Sequence, residues 1–262
     1  MPGRPSLVAV VPFRSVGGAK ERLATVLDAA ERSELGARLL ERTLRALVGT
    51  SSVDAVLLVS PDPLARALAR GLGATAIDDG GVELNAAIRA GLDAAERLGA
   101  EVALVIPVDL AAIDSTSISA MVTSWRDGSV AHTTLPDAPQ GSGGLPVGLL
   151  AADDGGTAAL VLPLPTRLTL HYGAASAAAH RSAAMTQAIP LVELHSPLSA
   201  DIDTPHDLAA AIASSDHSRT ADAAGAAEGA DVDGLNVIPL DGLGEIVAGD
   251  RSEEHTSELQ SH

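Results

Sequence analysis

Two short patterns carry the chemistry this chain could do. The first is acidic: Asp109 follows the apolar run Val102–Ile106 in "PVDL", and Asp201 and Asp203 alternate in "DIDTP". Carboxylates two residues apart on an extended segment project to one face. Carboxylates converging from two strand ends suit Mg²⁺, an oxygen-seeking ion that keeps waters and bridges substrate phosphates. Asp203 also has a plainer reading, as the cap of a helix whose first turn contains Pro205. The second pattern is basic: the run Leu7–Val11 leads into "PFRSVGGAKER", where Gly17 and Gly18 precede Lys20 and Arg22. A Gly-rich turn between strand and helix exposes N–H groups to phosphate oxygens, and a cation just inside adds charge. Alone it is as readily only a turn, and it is neither a Walker A loop nor the dinucleotide Gly-x-Gly-x-x-Gly.

Elements that could position these groups alternate along the chain. Runs rich in Val, Leu and Ile occupy Leu7–Val11, Val53–Val59, Ala74–Ile77, Val102–Ile106 and Leu191–Leu194. Stretches with helical spacing lie between most of them, at Asp28–Val48, Leu64–Gly71, Glu83–Leu98 and Ser117–Trp125. β-α-β alternation predicts an α/β domain with a mainly parallel, doubly covered sheet, in which ligands sit at the C-terminal ends of strands. Three of four such exits carry an aspartate, in "SPDP", "PVDL" and "DIDTP".

Composition removes other classes. The 262 residues are 46% hydrophobic and 19% charged, enough for a core in one domain with an appendage. Zero cysteines exclude a disulfide scaffold, a thiolate zinc site and a cysteine nucleophile. The 34 acidic and 17 basic residues repel a polyanion, and only Phe13, Trp125 and Tyr172 offer aromatic surfaces, so nucleic acid is not the expected partner. No apolar run of about 18 residues and no signal-peptide core appear, and the expected location is the cytoplasm. Gly-x-Ser-x-Gly and His-Glu-x-x-His are missing, which leaves phosphoryl or nucleotidyl transfer as the fitting chemistry. Asn85, after a Gly-Gly turn, reads either as a helix cap or as a contact to a nucleotide. His171, Tyr172 and His180, around Gly173 and Ser176, read more simply as surface or core side chains than as catalysts.

Taken in order, "VVPFRSVGGAKERLA", "VSPDP", "LNAAIRAGL", "PVDL", "HYGAASAAAH" and "DIDTPHDL" resemble the 2-phospho-L-lactate or phosphoenolpyruvate guanylyltransferases of deazaflavin coenzyme (F-420) biosynthesis, over about residues 7 to 212. The resemblance implies a Rossmann-like three-layer nucleotidyltransferase fold of the nucleotide-diphospho-sugar transferase type. It implies transfer of GMP from GTP to the phosphate of a three-carbon acid, by direct attack on the α-phosphorus with pyrophosphate released. Carried over residue by residue, Gly17, Gly18, Lys20 and Arg22 cradle the GTP phosphates and Asn85 lies near the nucleoside. Asp109, Asp201 and Asp203 hold Mg²⁺, and Lys20, Arg22 and Asp109 form the catalytic set. Gly144, Gly173 and Ser176 meet the phospho-acid.

The match has departures. The family's Gly-Thr-Gly-Thr is Gly141-Ser142-Gly143-Gly144 here, which removes a hydroxyl donor to a charged group, a loss of about 1.5–3 kcal/mol. Its Asp-Leu-Pro is Asp109-Leu110-Ala111, and its Arg-Phe-Gly is His171-Tyr172-Gly173. The partners implied are GTP and a small phospho-acid, with a homodimer left open. Alanine-rich composition with arginine favoured over lysine suggests a high-GC bacterium and tilts the acceptor toward phosphoenolpyruvate. A molybdenum-cofactor or sugar-phosphate nucleotidyltransferase is the alternative enzyme, and a degenerate GTP-binding module is the non-enzymatic one.

The rear of the chain differs in kind. Residues 213–262 hold 11 acidic and 2 basic residues. With residues 1–212 read as the guanylyltransferase domain, residues 213–234 read as a flexible linker too poor in large apolar groups to order. Residues 235–250, "LNVIPLDGLGEIVAGD", resemble the start of the coenzyme's γ-glutamyl ligase, as in a two-enzyme fusion. As far as Ser261, the terminal "RSEEHTSELQSH" matches one frame of a sequencing-library adapter, so residues 251–262 read as non-native and His255 and His262 receive no role.

Overall fold

The structure, a computed structural model, describes residues 6–15, 23–134, 145–200 and 205–207, without the side chains of 130–134. The chain divides into two compact units, Met1–Ser218 and Arg219–His262, and every described residue belongs to the first.

The front half follows from its sequence directly. Strands β1 (Leu7–Pro12), β2 (Ala55–Val59), β3 (Thr75–Ile77) and β4 (Val102–Val105) alternate with helices α1 (Ala29–Val48), α2 (Pro63–Gly71) and α3 (Leu84–Arg97). Each helix starts on an acidic cap. Asp28 accepts from the Ala30 and Glu31 N–H groups while Glu31 accepts from the N–H of Asp28, a reciprocal capping box. Asp62 caps α2 with Pro63 behind it, and Glu83 caps α3. Only the crossover from β2, which ends at Val59, to α2, which starts at Pro63, turns at once through its cap.

With β5 (Val147–Ala151), β6 (Thr157–Pro163) and β7 (Leu191–Glu193), seven strands among the described residues are ordered β3-β2-β1-β4-β6-β5-β7. β1 pairs in parallel with β2 (Val8 beside Ala55) and with β4 (Leu7 beside Val102), so strand order reverses between β1 and β4. Ligands bind at such a switch point in open α/β sheets. The rear half adds α4 (Ser115–Thr134), the hairpin of β5 and β6, α5 (Ser176–Thr186), β7 and a 3₁₀ turn at Pro197–Ser199. β6 runs antiparallel to both neighbours, and β7 returns parallel to β5. The expected mainly parallel sheet is therefore present with one reversed strand. The hairpin and α5 lie outside the runs and stretches named from sequence, and α4 is longer than its periodic part.

Alternation along β1 divides the core. Leu7, Ala9 and Val11 pack with Leu40, Leu44 and Leu47 of α1 and Ile118, Met121 and Trp125 of α4. Val8 and Val10 pack with Ile88 and Leu92 of α3 and Ala177 and Ala184 of α5. The result is three layers, helix, sheet and helix. Gly91 brings α3 down onto the sheet: a Cβ there would collide with Val10 Cγ1 and stand 2.9 Å from Val59 Cγ2. That close approach sets the first turn of α3 over the exits of β1 and β2. Among the described residues, no helix is long and apolar enough to cross a membrane.

Candidate active site

The β1 exit opens a small depression lined by Pro12, Phe13, Arg14 and Val59, with Asp79, Val82, Leu84 and Ala87 opposite. Phe13 continues the β1–β2 ladder by donating its N–H to the Val59 carbonyl, and Arg14 Nη1 donates to the Gly81 carbonyl at 3.1 Å. Val82 and Leu84 are 43% and 42% exposed, so the rim presents apolar surface with one carboxylate, Asp79, beside it. A flat apolar slot with a few polar groups suits a heterocyclic base. Sequence reasoning did not single out Arg14 or Asp79. Position gives the only signal for them, one just past the β1 exit and the other just past the β3 exit.

Asp109 stands in the turn after β4, half-buried. The turn is held from behind by α1: Arg42 Nη2 donates to the Leu110 carbonyl at 2.6 Å, and Thr43 Oγ1 donates to the Val108 carbonyl at 3.2 Å. Burial lowers the pKa of the Arg42 guanidinium, a cation held behind the acidic turn. In front, the Ala111 N–H donates to the Ala200 carbonyl at 2.9 Å. Ala200 immediately precedes Asp201 in the chain, so the approach to the second acidic pattern is tied two residues from Asp109.

The third part of the site is the start of α5. Ser176 is 2% exposed, and its hydroxyl donates inward to Thr157 Oγ1 at 2.9 Å. Thr157 Oγ1 lies 3.0 Å from His180 Nδ1, and His180 Nε2 accepts the N–H of His171 at 2.9 Å. An Nε2 that accepts carries no proton, so the neutral ring has its proton on Nδ1 and donates it to Thr157. Burial, with the charge of His171 adding to it, pushes the His180 pKa down to about 4. Tyr172 packs edge-on against His180 with centroids 5.0 Å apart, and its enclosed hydroxyl has no partner among the described residues. Asn85 Oδ1 accepts the Tyr172 N–H at 2.8 Å, and its Nδ2 donates to the Tyr172 carbonyl at 3.2 Å. Gly173 has φ +143° and Ala175 φ +52°, a turn only glycine enters readily at its first position. The first turn of α5 has no side-chain cap.

The β5–β6 hairpin joins two of these parts. Gly155 accepts the N–H of Ala177 at the start of α5, while Asp153 donates its N–H to the Ser199 carbonyl on the segment that ends at Ala200.

Measured against the sequence expectations, Asp109, Asn85, Gly173 and Ser176 are described. Gly17, Gly18, Lys20, Arg22, Gly144, Asp201 and Asp203 lie outside the described residues. Asn85 is not the cap of α3, since Glu83 is, and its amide brings α3 to the Gly173 turn. Ser176 directs its hydroxyl into the protein, onto Thr157. Asp62 caps α2. The simpler reading of His180 holds, as a buried, neutral core side chain. Trp125 is likewise buried and donates to the Pro146 carbonyl, with Gly148 making room for its indole. Among the described residues, no three carboxylate or imidazole groups converge as a metal site.

Comparison with known proteins places the chain, with its depression at a switch point, among the nucleotidyltransferases. Residues 17–163 match the MobA-like NTP transferase domain. A structure of a Desulfovibrio desulfuricans protein described as a nucleotide-diphospho-sugar transferase shares the fold, with TM-score 0.56 and 14% identity over 77% of this chain and 84% of that one. The phosphoenolpyruvate guanylyltransferase of Sphaerobacter thermophilus is 38% identical over 77% of this chain and 90% of its own length. The 3-phospho-D-glycerate guanylyltransferase of Phenylobacterium zucineum is 34% identical over 76% and 86%. The chain belongs to this guanylyltransferase family within the MobA-like NTP transferases.

Proposed function

We propose that the chain transfers GMP from GTP to the phosphate of a three-carbon phospho-acid, with phosphoenolpyruvate first among the acceptors and 2-phospho-L-lactate second, as a step of coenzyme F-420 biosynthesis in the cytoplasm. The observation that carries this reading is the Ala111–Ala200 hydrogen bond, which ties the approach to Asp201 and Asp203 to the turn of Asp109 at the sheet's switch point. Carboxylates are the donors a hard divalent cation takes, and Mg²⁺ held by Asp109, Asp201 and Asp203 would neutralise phosphate charge.

The remaining work falls to the chain's own groups. The nucleoside lies in the depression between Phe13 and Leu84, with Asp79 as an acceptor for the base, while Asn85 on the same turn of α3 commits its amide to Tyr172. Gly17 and Gly18 offer N–H groups to the triphosphate, and Lys20 and Arg22 offset its charge. Lys20 is the one lysine of the chain, beside sixteen arginines. A compact ammonium serves where a planar guanidinium does not fit. Gly144, Gly173 and Ser176 receive the phospho-acid, the last at the start of α5, where a helix N-terminus favours anions. An acceptor phosphate oxygen attacks the α-phosphorus, the bond to the bridging oxygen breaks, and pyrophosphate leaves. Catalysis of this kind is positioning and charge neutralisation, with no covalent enzyme intermediate.

The rear of the chain is proposed as a linker over 213–234 and the start of a glutamyl ligase over 235–250, with 251–262 foreign to the protein.

The test is pyrophosphate release by the full chain with GTP and Mg²⁺, supplying phosphoenolpyruvate, 2-phospho-L-lactate or 3-phospho-D-glycerate separately. Release with phosphoenolpyruvate above the others, abolished by Asp109→Asn, is the expected result. Release with none of the three, from folded protein that binds GTP, rejects the reading. The 3-phosphoglycerate arm is motivated by the Phenylobacterium relative.

A further inference from the structure

Asn85 uses its whole amide on the main chain of one distant residue. Donating to the Tyr172 carbonyl and accepting from the Tyr172 N–H, it does for that peptide what a neighbouring strand would do, across 87 residues of sequence. Its neighbours on the first turn of α3, Leu84 and Ala87, line the depression at the β1 exit. Tyr172 in turn leads straight into Gly173 and Ala175, both at positive φ, and then into the uncapped start of α5. Residues held in such conformations persist only where their surroundings over-determine them. Two side chains supply that constraint here. His180 holds the N–H of His171, which anchors the turn to its own helix. Asn85 anchors it to the helix that borders the depression.

We propose that Asn85 is a positioning residue that couples the two substrate subsites: a nucleotide seated against Leu84 and Ala87 fixes the first turn of α3, and Asn85 thereby fixes the Gly173–Ser176 turn for the phospho-acid. The identity of the two ligands rests on the function proposed above. The coupling is reciprocal, since an acid that orders the turn tightens nucleotide binding by the same factor.

Asn85→Ala and Asn85→Asp test this in the full chain. The aspartate keeps the acceptor for the Tyr172 N–H but loses the donor to its carbonyl, and it serves if the alanine variant does not fold. Three quantities are read: the GTP Kd without acid, the KM for phosphoenolpyruvate at saturating GTP, and deuterium exchange of residues 171–176 with and without GTP and Mg²⁺. The expected result is a rise of about tenfold in the acid KM with the GTP Kd changed less than about twofold. In the native chain GTP slows exchange of 171–176, and in both variants that response is lost.

A GTP Kd weakened about tenfold with the acid KM unchanged overturns the proposal in favour of direct nucleoside contact. Exchange raised evenly across the fold, with the GTP response retained, also overturns it and leaves Asn85 a structural residue. If the native protein turns over none of the phospho-acids, the proposed reaction fails but the exchange comparison still decides: a GTP response present in the native chain and lost in the variants supports the coupling, and an equal response removes it.

Discussion

Thr157 Oγ1 stands 3.0 Å from His180 Nδ1 and also receives the Ser176 hydroxyl proton, so one threonine on β6 collects the first turn of α5 and the histidine beneath it. The ring is fully buried and both its nitrogens are engaged.

This arrangement makes stability depend on pH. The folded pKa of His180 is pushed down to about 4 from 6.5. Between those values the unfolded chain binds the extra proton, so the contribution is complete above pH 6.5 and is lost as pH falls toward 4. The loss is about 2 kcal/mol at pH 5. Urea denaturation at pH 7.5 and pH 5 should show it in the native protein, and His180→Gln should flatten that part of the dependence. An unchanged slope in the variant would assign the effect to other groups.

Tyr172→Phe should stabilise the protein. The phenol oxygen is enclosed without a partner among the described residues, burial raises its pKa, and an unsatisfied buried hydroxyl costs about 1–3 kcal/mol. Removing it leaves the ring, its contact with His180 and the main-chain bonds to Asn85 in place. A rise in Tm of a few degrees is the expected reading, and a fall would show that the hydroxyl has a partner in solution.

Gly91→Ala should do the reverse, and should weaken GTP binding as well. The added methyl would meet Val10 and Val59 on the sheet, and overpacking of this kind costs about 1–3 kcal/mol. α3 can relieve it only by lifting from β1 and β2, which moves Leu84 and Ala87 at the depression. Calorimetric titration with GTP beside a melting curve separates the two effects. Lower stability with unchanged GTP affinity would mean that the first turn of α3 does not shape the nucleotide site.

The single lysine offers a direct probe of the phosphate loop. Pyridoxal phosphate with borohydride reduction can label only Lys20 and the terminal amine, because no other primary amine exists in the chain. GTP with Mg²⁺ should protect Lys20 and leave the terminus reactive. Equal labelling with and without GTP, read by peptide mass, would take Lys20 out of the site.

The sequence by itself determined the front half of this protein. Uninterrupted apolar strands, periodic helices and an acidic cap before each helix are local signals, and each is strong enough to place β1 through β4 and the turn of Asp109 without a partner in view. The reaction class was legible only from the motifs taken together and in order, because an aspartate or a glycine-lysine turn at a strand exit has plainer uses, as Asp62 capping α2 shows. The tertiary structure alone decided the rear half and the connections. β6 lies outside the runs named from sequence, and its reversal is a matter of pairing with β4 and β5. α5 is alanine-rich with little periodic contrast, so burial against Val8, Val10 and the hairpin, rather than its own pattern, defines its inward face. The partners of Asn85, Ser176 and His180 are set by contacts spanning from 9 to 87 residues, and no local preference encodes which peptide an amide or an imidazole will meet. Residue type made those side chains able to form hydrogen bonds, and only the packing of α3 and α5 on the sheet decided with whom.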